Sequence, residues 1–220
     1  MSPAASSSVL PDIGPEAPDY WVEACRHLMK RDRVMKKLIP QHPGVCLQSR
    51  GDAFVTLARS IVGQQISVKA AQSVWERFAA LSRRMTPAQV LKLKVDDMRA
   101  AGLSARKVEY LVDLALHFSN GQVHEKQWAD MDDEAIIAEL VAIRGIGRWT
   151  AEMFLIFHLM RPNVLPLDDI GLQNGISRCY FSGEPVSRSE IREVATSWAP
   201  YCSVATWYIW RSLDPVPVSY

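Results

Sequence analysis

The amino-acid sequence predicts an all-α fold for this chain of 220 residues. Its apolar residues recur mostly at intervals of three and four, the spacing that places them on one face of an α-helix. Alternating strand patterns are missing, and the best strand candidate, VLPL at 164–167, is short and contains a proline. Capping and turn residues divide the pattern into about ten short helices, without a long internal repeat or a heptad run.

The first helices are predicted from apolar spacing and from capping residues. Residues 20–38 and 52–62 each carry an apolar stripe at helical spacing. Ser67 can cap the next helix with its hydroxyl group. Thr86 followed by Pro87 has the chemistry of an N-cap and a first helical turn.

The later helices follow from the same signals. The Gly-Leu-Ser sequence at 102–104 predicts the end of one helix and the start of another, and 132–143 has a further helical pattern. After a Gly-Ile-Gly sequence, a helix is predicted over about 148–160. Another begins at Asp168 or Asp169 after a proline loop, and the last covers 188–212.

Composition and charge are those of an ordinary globular protein. Hydrophobic residues make up 48% and charged residues 22%, and the formal net charge is +1, so any basic footprint must be local. A chain of this length can form one sizeable core or two small lobes that share a cleft. No apolar run approaches the ~20 residues of a membrane span. We expect loose tails at 1–18 and 213–220.

Cysteine usage and the N-terminus indicate a cytoplasmic protein. The N-terminus lacks the basic start and the apolar core of a secretory signal. No two cysteines form a CxxC pair, which argues against a zinc site or an iron–sulfur cluster and favours reduced thiols. The four are Cys25, Cys46, Cys179 and Cys202.

The most informative stretch is RGIGRWTAEMF at 144–154, where two glycines separate two predicted helices. Glycine permits positive φ and leaves no Cβ between the backbone and an approaching group. The first N–H groups of the helix after Gly147 lack partners within the helix, and with the helix dipole they can bind an anion such as phosphate. Arg148 adds a positive charge there. The alternative is an ordinary tight connection between helices.

Four stretches of this chain, in this order, resemble one known family. LVAIRGIGRWTAEMF resembles the hairpin of the helix-hairpin-helix DNA glycosylases, and VLPLDDIGLQNGISR resembles the segment that carries their essential aspartate. Upstream, LARSIVGQQISVKAA and AAGLSARKVEYLVDLA are similar to stretches of the 3-methyladenine DNA glycosylase II branch. The resemblance runs from about residue 50 to 212. It implies a compact, all-helical member without the N-terminal β domain, with a glycosylase domain at 19–212 that has two lobes around a cleft.

The resemblance implies a monofunctional DNA glycosylase of base excision repair. Such an enzyme flips out alkylated purines of the 3-methyladenine and 7-methylguanine type from double-stranded DNA and excises them by hydrolysis. We expect a monomer that needs no organic cofactor and that is associated with the nucleoid if the source is bacterial. Backbone carbonyls at family positions that hold a monovalent cation, Na⁺ or K⁺, match Val141, Ile143 and Ile146. Gly145, Gly147, Arg148 and Thr150 match the DNA-binding hairpin.

Two adjacent aspartates, Asp168 and Asp169, are candidates for the catalytic carboxylate. The spacing to Arg178 matches the family pattern for Asp169, and we therefore expect Asp169 to be catalytic. Cleavage of an N-glycosidic bond builds positive charge on the sugar, which a carboxylate stabilises. One carboxylate suffices when the leaving purine is already cationic. The alternative is that both aspartates are helix N-cap residues, and we expect at least one of them to be. We expect Asp168 to cap a helix or to support the site.

The aromatic residues fall into two groups. By resemblance, Trp149 and Trp210 face the base pocket, where an indole attracts a cationic base. Met153 stands where a relative has a tyrosine, which leaves the shape of the pocket open. Relatives that also cut the DNA strand carry a lysine at the position of Trp149. For the other tryptophans we expect burial in the core: Trp21, Trp75, Trp128, Trp198 and Trp207.

The break GQQIS at 63–67 can insert a side chain into the duplex where the base has flipped out. Gln65 is the first candidate for this plug and Ile66 the second. The alternative is an N-cap turn with a buried Ile66. Alternatives also remain for the whole chain: a glycosylase for other damaged or mismatched bases, or a non-catalytic helix-hairpin-helix DNA-binding module.

Overall fold

The computed structural model describes residues 17–49 and 51–213. Within these ranges the regular structure is helical and no strand is present, which confirms the all-α prediction. The predicted tails at 1–18 and 213–220 fall almost wholly outside the described residues. The α-helices are α1 Trp21–Arg31, α2 Arg33–Leu38, α3 Ala53–Gly63, α4 Val68–Ala79, α5 Pro87–Val90, α6 Val95–Ala100, α7 Ala105–Ser119, α8 Asp133–Val141, α9 Arg148–Phe157, α10 Ile170–Tyr180, α11 Arg188–Ala195 and α12 Cys202–Leu213.

The described residues divide into two compact units. The hairpin unit consists of residues 49 and 51–159 and contains α3 to α9. The terminal unit combines residues 17–48 with 160–213 and contains α1, α2 and α10 to α12. None of the helices in these ranges is long and apolar enough to cross a membrane.

Each unit has its own core. The terminal unit buries Trp21 against Trp207, with ring centroids 5.3 Å apart in an edge-to-face arrangement. The hairpin unit buries Trp128 against Phe154 in the same way, at 5.4 Å. All five tryptophans assigned to the core from sequence are buried, as expected: Trp21, Trp75, Trp128, Trp198 and Trp207.

The two predicted caps, Ser67 and Thr86, form as the sequence indicated, and Ser104 forms a third at the helix start predicted after Gly102. The hydroxyl oxygens of Ser67, Thr86 and Ser104 accept hydrogen bonds from backbone amides at the starts of α4, α5 and α7. These bonds satisfy amides that have no acceptor within their own helices.

The structure divides two segments that the sequence predicted as single helices. Residues 20–38 form α1 and α2, because Asp32 is extended and its carboxylate caps α2 through the amides of Val34 and Met35. Residues 188–212 form α11 and α12, with Pro200 between them. Proline has no N–H group to donate to a continuing helix. Helical spacing of apolar residues persisted across both breaks and concealed them.

Candidate functional site

Asp169 is a buried carboxylate at the N-terminus of α10, with 6% of its surface exposed. A turn after the proline loop places it there, since its amide donates to the carbonyl of Pro166 at 3.0 Å. Its Oδ1 accepts a hydrogen bond of 2.6 Å from the amide of Leu172. Asp169 is therefore the N-cap residue of α10.

Trp210 on α12 binds the same carboxylate oxygen. Its indole N–H donates to Oδ1 of Asp169 at 2.7 Å. Gly171 makes room for this bond, because a Cβ at residue 171 would lie 3.0 Å from Oδ1 and 3.1 Å from Nε1 of Trp210. Two donors on one oxygen fix the orientation of the carboxylate.

Asp168 was expected to cap the helix or to support the site. The cap is Asp169, so the first part of this expectation is wrong, and a supporting role for Asp168 stays a prediction. The side chain of Asp168 is half exposed and forms an ion pair with Arg188. The sequence could not separate the two aspartates as caps, because either is one residue from a plausible helix start.

The residues expected at the base pocket on α9 differ in exposure. Trp149, the second residue of α9, is 37% exposed, whereas Met153, one turn later on the same helix, is buried. The side chain of Thr150 is also buried.

The Gly-Ile-Gly turn joins α8 to α9, and its two glycines have different reasons to be glycine. Gly145 has φ +85°, and a Cβ there would lie 2.2 to 2.7 Å from ring atoms of Tyr110. Gly147 has φ −92° and is the N-cap of α9, and a Cβ there would meet open space. Asp113 fixes the turn from outside, since its carboxylate accepts the amide of Arg144 at 2.8 Å.

Arg148, expected to contribute charge for an anion, is paired with two carboxylates. Its guanidinium makes a two-pronged contact with Glu134, with 2.9 Å between Nη1 and Oε2. Its Nε donates to the buried Glu152 at 3.0 Å. The hydrogen bond from Arg148 holds the pKa of the Glu134 carboxyl below its usual range. The positive charge beside the turn is thus neutralised locally.

The loop at 63–67 is tied to the Gly-Ile-Gly turn by a residue that sequence reasoning did not single out. The amide group of Gln64 donates to the carbonyl of Gly145 at 2.8 Å. Gln65 is exposed with φ +60°, and Ile66 is 40% exposed. The alternative with a buried Ile66 is therefore wrong, and both plug candidates are open to solvent.

The cation ligands expected at the turn are backbone carbonyl oxygens. No group of His, Cys, Asp and Glu suited to a metal ion occurs within residues 17–49 and 51–213. Among the candidate carbonyls, that of Ile143 accepts the amide of Ile146 at 3.1 Å. A carbonyl oxygen has two lone pairs, so this bond leaves capacity for an ion.

Comparison with known proteins identifies the family. The family model of the HhH-GPD superfamily base excision DNA repair protein matches residues 58–200. DNA-3-methyladenine glycosylase 1 of Schizosaccharomyces pombe is 31% identical over 194 residues, which cover 84% of this chain and 85% of the relative.

Solved structures give the same result. A DNA-3-methyladenine glycosidase from Bacillus halodurans superposes with a TM-score of 0.81 at 33% identity, over 87% of this chain and 89% of the other. The S. pombe 3-methyladenine DNA glycosylase in complex with abasic DNA superposes with a TM-score of 0.74 at 30% identity, over 86% and 96% of the two chains. This chain belongs to the HhH-GPD superfamily of base excision DNA repair proteins, among its 3-methyladenine DNA glycosylases.

Proposed function

We propose that this protein is a monofunctional DNA glycosylase that excises alkylated purines from double-stranded DNA by hydrolysis. The observation that carries the proposal is the buried carboxylate of Asp169, oriented through Oδ1 by the Leu172 amide and the Trp210 indole. A carboxylate fixed in advance costs no reorganisation when charge develops in the transition state. The names of the relatives, DNA-3-methyladenine glycosylases, support the same substrate class.

In the proposed reaction, Asp169 supplies negative charge where the sugar becomes positive. The bond between C1′ of the deoxyribose and the purine nitrogen breaks, and its electron pair leaves with the base. The sugar then resembles an oxocarbenium ion, which the carboxylate stabilises. Water attacks C1′, and Asp169 orients it or accepts its proton. A purine methylated at N3 or N7 is cationic and leaves without a second acid, so one carboxylate suffices.

We propose that indole faces select the cationic base. Trp149 is partly exposed on α9, and Trp210 is half-buried beside Asp169. Each indole face binds a cationic base more strongly than a neutral base, by ~0.5–2 kcal/mol. The N–H edge of Trp210 is used by Asp169, so its contribution to the base would come from the ring face. Met153 would fill the pocket where a relative has a tyrosine.

We propose that the Gly-Ile-Gly turn holds the DNA backbone. The first amides of α9, from Arg148 to Thr150, follow Gly147 and are suited to a phosphate. The carbonyls of Val141, Ile143 and Ile146 would hold Na⁺ or K⁺, which prefer oxygen ligands.

We propose that the side chain of Gln65 or Ile66 fills the gap that the flipped base leaves in the duplex. The protein would act as a monomer in the cytoplasm, or on the nucleoid of a bacterium.

The direct test is base release from methylated duplex DNA. The protein is incubated with the duplex, and the released bases are identified by mass spectrometry. We expect 3-methyladenine or 7-methylguanine from the wild type and none from Asp169→Asn, whose amide carries no negative charge but is nearly isosteric. Asp168→Asn is the matched control and should retain most of the activity, because Asp168 pairs with Arg188 at the surface.

Two results would contradict the proposed activity, and a third would reverse the choice of catalytic aspartate. Release of only oxidised or mismatched bases from suitable duplexes would indicate a glycosylase of another specificity. DNA binding without release of any base would indicate a non-catalytic DNA-binding module. Loss of activity in Asp168→Asn with retention in Asp169→Asn would reverse the assignment of the catalytic carboxylate.

A further inference from the structure

The N-terminal helices carry a dense cluster of positive charge. The whole chain has 25 Lys and Arg against 24 Asp and Glu, so an excess of cations at any one place is local. Within residues 26–37, six side chains are cationic and exposed. We call them the basic patch: Arg26, Lys30, Arg31, Arg33, Lys36 and Lys37.

The one acidic residue in this segment does not neutralise the basic patch. Asp32 is 92% buried, since only 8% of its surface is exposed. Its Oδ1 caps α2, and its Oδ2 accepts hydrogen bonds within the terminal unit at 2.9, 3.1 and 3.2 Å. The donors to Oδ2 are the side chains of Tyr180, Ser197 and Trp198. Both oxygens of the Asp32 carboxylate are thus hydrogen-bonded within the terminal unit.

The cations of the basic patch also lack ion-pair partners. No salt bridge joins any of the six to another residue in the described part of the chain. Exposed arginines elsewhere do pair: Arg144 with Glu109, Arg148 with Glu134 and Arg188 with Asp168. Other exposed cations, Lys92 and Lys94 among them, are likewise without a salt bridge in the described residues, so the basic patch is distinguished by its density, six exposed cations within residues 26–37.

Helix electrostatics do not account for the whole arrangement. Four of the six lie in last turns, where the helix dipole favours a cation: Lys30, Arg31, Lys36 and Lys37. Arg33, however, is the first residue of α2, where the dipole disfavours one. Arg26 and Lys30 also stand one turn apart, a spacing at which like charges destabilise a helix. The helix dipole thus accounts for four of the six charges, and a bound polyanion would offset the unfavourable positions of Arg26 and Arg33.

We infer that the basic patch is a second DNA-binding surface, which contacts backbone phosphates of undamaged duplex in addition to the contacts of the Gly-Ile-Gly turn. Phosphates carry no information on sequence or damage, so this surface adds affinity for duplex DNA without adding selectivity. The inference rests on the proposed function only in taking double-stranded DNA as the substrate. It requires no base release.

The test compares two triple variants that remove the same charge. Lys30→Gln/Lys36→Gln/Lys37→Gln changes the basic patch. Lys92→Gln/Lys94→Gln/Arg99→Gln changes three exposed cations near Asp96 and Asp97 on and before α6. The dissociation constant for a long undamaged duplex is measured over a series of salt concentrations. Thermal melting by circular dichroism verifies that both variants fold.

We expect the salt dependence of DNA affinity to weaken only in the basic-patch variant. Each lost phosphate contact lowers the slope of log affinity against log salt by ~0.9, so the slope should fall by ~1 to 3. Single-turnover base release from a methylated duplex, at saturating enzyme, should change by less than about twofold because the phosphate contacts position the duplex and take no part in the reaction.

Three outcomes would overturn the inference. An equal fall in slope for both variants would show that only the net charge of the protein matters. An unchanged slope in both variants would show that the basic patch does not contact DNA phosphates. Binding to phosphatidylserine vesicles that depends on the basic patch, with an unchanged DNA slope, would assign the surface to a membrane. If the wild type releases no base but the slope still falls only in the basic-patch variant, the proposed function fails and this inference stands.

Discussion

The indole of Trp210 and the carboxylate of Asp169 are joined by a hydrogen bond of 2.7 Å across 41 residues of sequence. The bond ends on Oδ1, the oxygen that also accepts the amide of Leu172. Sequence analysis assigned Trp210 to the base pocket through its ring face. The structure adds a role for its N–H edge, which orients the proposed catalytic group.

Replacement of Trp210 by phenylalanine should slow base release more than it weakens DNA binding. Phenylalanine keeps an aromatic face but has no N–H group to donate to Asp169. A hydrogen bond to a charged group contributes ~1.5–3 kcal/mol, so we expect a decrease of about 10- to 100-fold in the single-turnover rate. Affinity for undamaged duplex serves as the control and should stay nearly constant. A reduced affinity with an unchanged rate would limit Trp210 to binding.

Alanine at Gly171 should disturb the same bond without removing any polar group. The new Cβ would lie 3.0 Å from Oδ1 of Asp169 and 3.1 Å from the indole nitrogen of Trp210, so one of them must shift. We expect a slower single-turnover rate at nearly wild-type DNA affinity. Because both changes act on one contact, Gly171→Ala combined with Trp210→Phe should cost less than the sum of the two in ΔG‡. Full additivity would show that the two residues act separately.

Helix caps and tight turns were predicted well from the sequence, because they depend on residues that are close together in the chain. Ser67 and Ser104 accept amides three residues ahead, and the residue types alone indicate such caps. The position of the Gly-Ile-Gly turn was predicted for the same reason. The role of Asp169 in catalysis remains a prediction, supported by its burial and its two donors.

Features that depend on distant contacts could not be predicted. Asp32 ends a helix because it caps α2 and binds Tyr180, which lies 148 residues away. Gln64 reaches Gly145 across 81 residues, and the sequence distinguished it in no way from Gln65. Arg148 carries a charge that sequence reasoning assigned to an anion, but partners from α8 and α9 already neutralise it.

Alanine substitutions at the two glycines of the turn should differ in how much they destabilise the fold. Gly145→Ala forces a side chain into positive φ and against the ring of Tyr110, which should destabilise the fold by about 2–4 kcal/mol and lower the melting temperature by ~5–15 °C. Gly147→Ala meets open space within the protein and should cost less than about 1 kcal/mol.

DNA binding gives the complementary result for the same pair. The Cβ of Gly147→Ala would stand before the first amides of α9, so affinity should fall equally for damaged and undamaged duplex. A loss confined to methylated DNA would instead place Gly147 in base recognition. If Gly147→Ala folds and binds DNA with unchanged affinity, the proposal that the turn binds phosphate is contradicted.

Glutamine at Glu134 should strengthen DNA binding. The carboxylate competes with phosphate for the guanidinium of Arg148, and its loss frees the two Nη groups while Nε stays bound to Glu152. Both side chains are largely exposed, so the pair contributes at most about 1 kcal/mol and the gain should be about two- to fivefold in affinity. Glu193→Gln removes an equal charge from the exposed face of α11 and serves as the control. Weaker binding by Glu134→Gln would show that Glu134 orients Arg148 for DNA.

The pH dependence of this effect follows from the lowered pKa of Glu134. A carboxyl group whose pKa is lowered in the folded state is ionised at neutral pH. The ion pair is therefore lost only as the pH falls through that lowered value. The affinity difference between wild type and Glu134→Gln should be constant near neutrality and should shrink in acid. A difference that grows in acid would contradict competition by the carboxylate.

Borohydride should trap no covalent complex between this protein and a methylated duplex. Cleavage of the strand requires an amine that attacks C1′ and forms a Schiff base, which borohydride reduces. The position at which such relatives carry a lysine is occupied here by Trp149, whose indole nitrogen is not a nucleophile. Arg148 stays protonated and cannot replace the amine. We therefore expect base release to leave an intact abasic strand, visible as a full-length band on a denaturing gel until it is treated with alkali.

Lys107 provides the sharpest control for this experiment. Burial lowers the pKa of its amine, which donates to the carbonyl of Val62 at 2.7 Å at the end of α3. A lowered pKa increases the neutral fraction of an amine and hence its capacity to attack a sugar. A trapped adduct that persists in Lys107→Gln would assign the attack to another lysine, and one that disappears would assign it to Lys107. Either adduct would defeat the monofunctional assignment and leave the glycosylase activity in place.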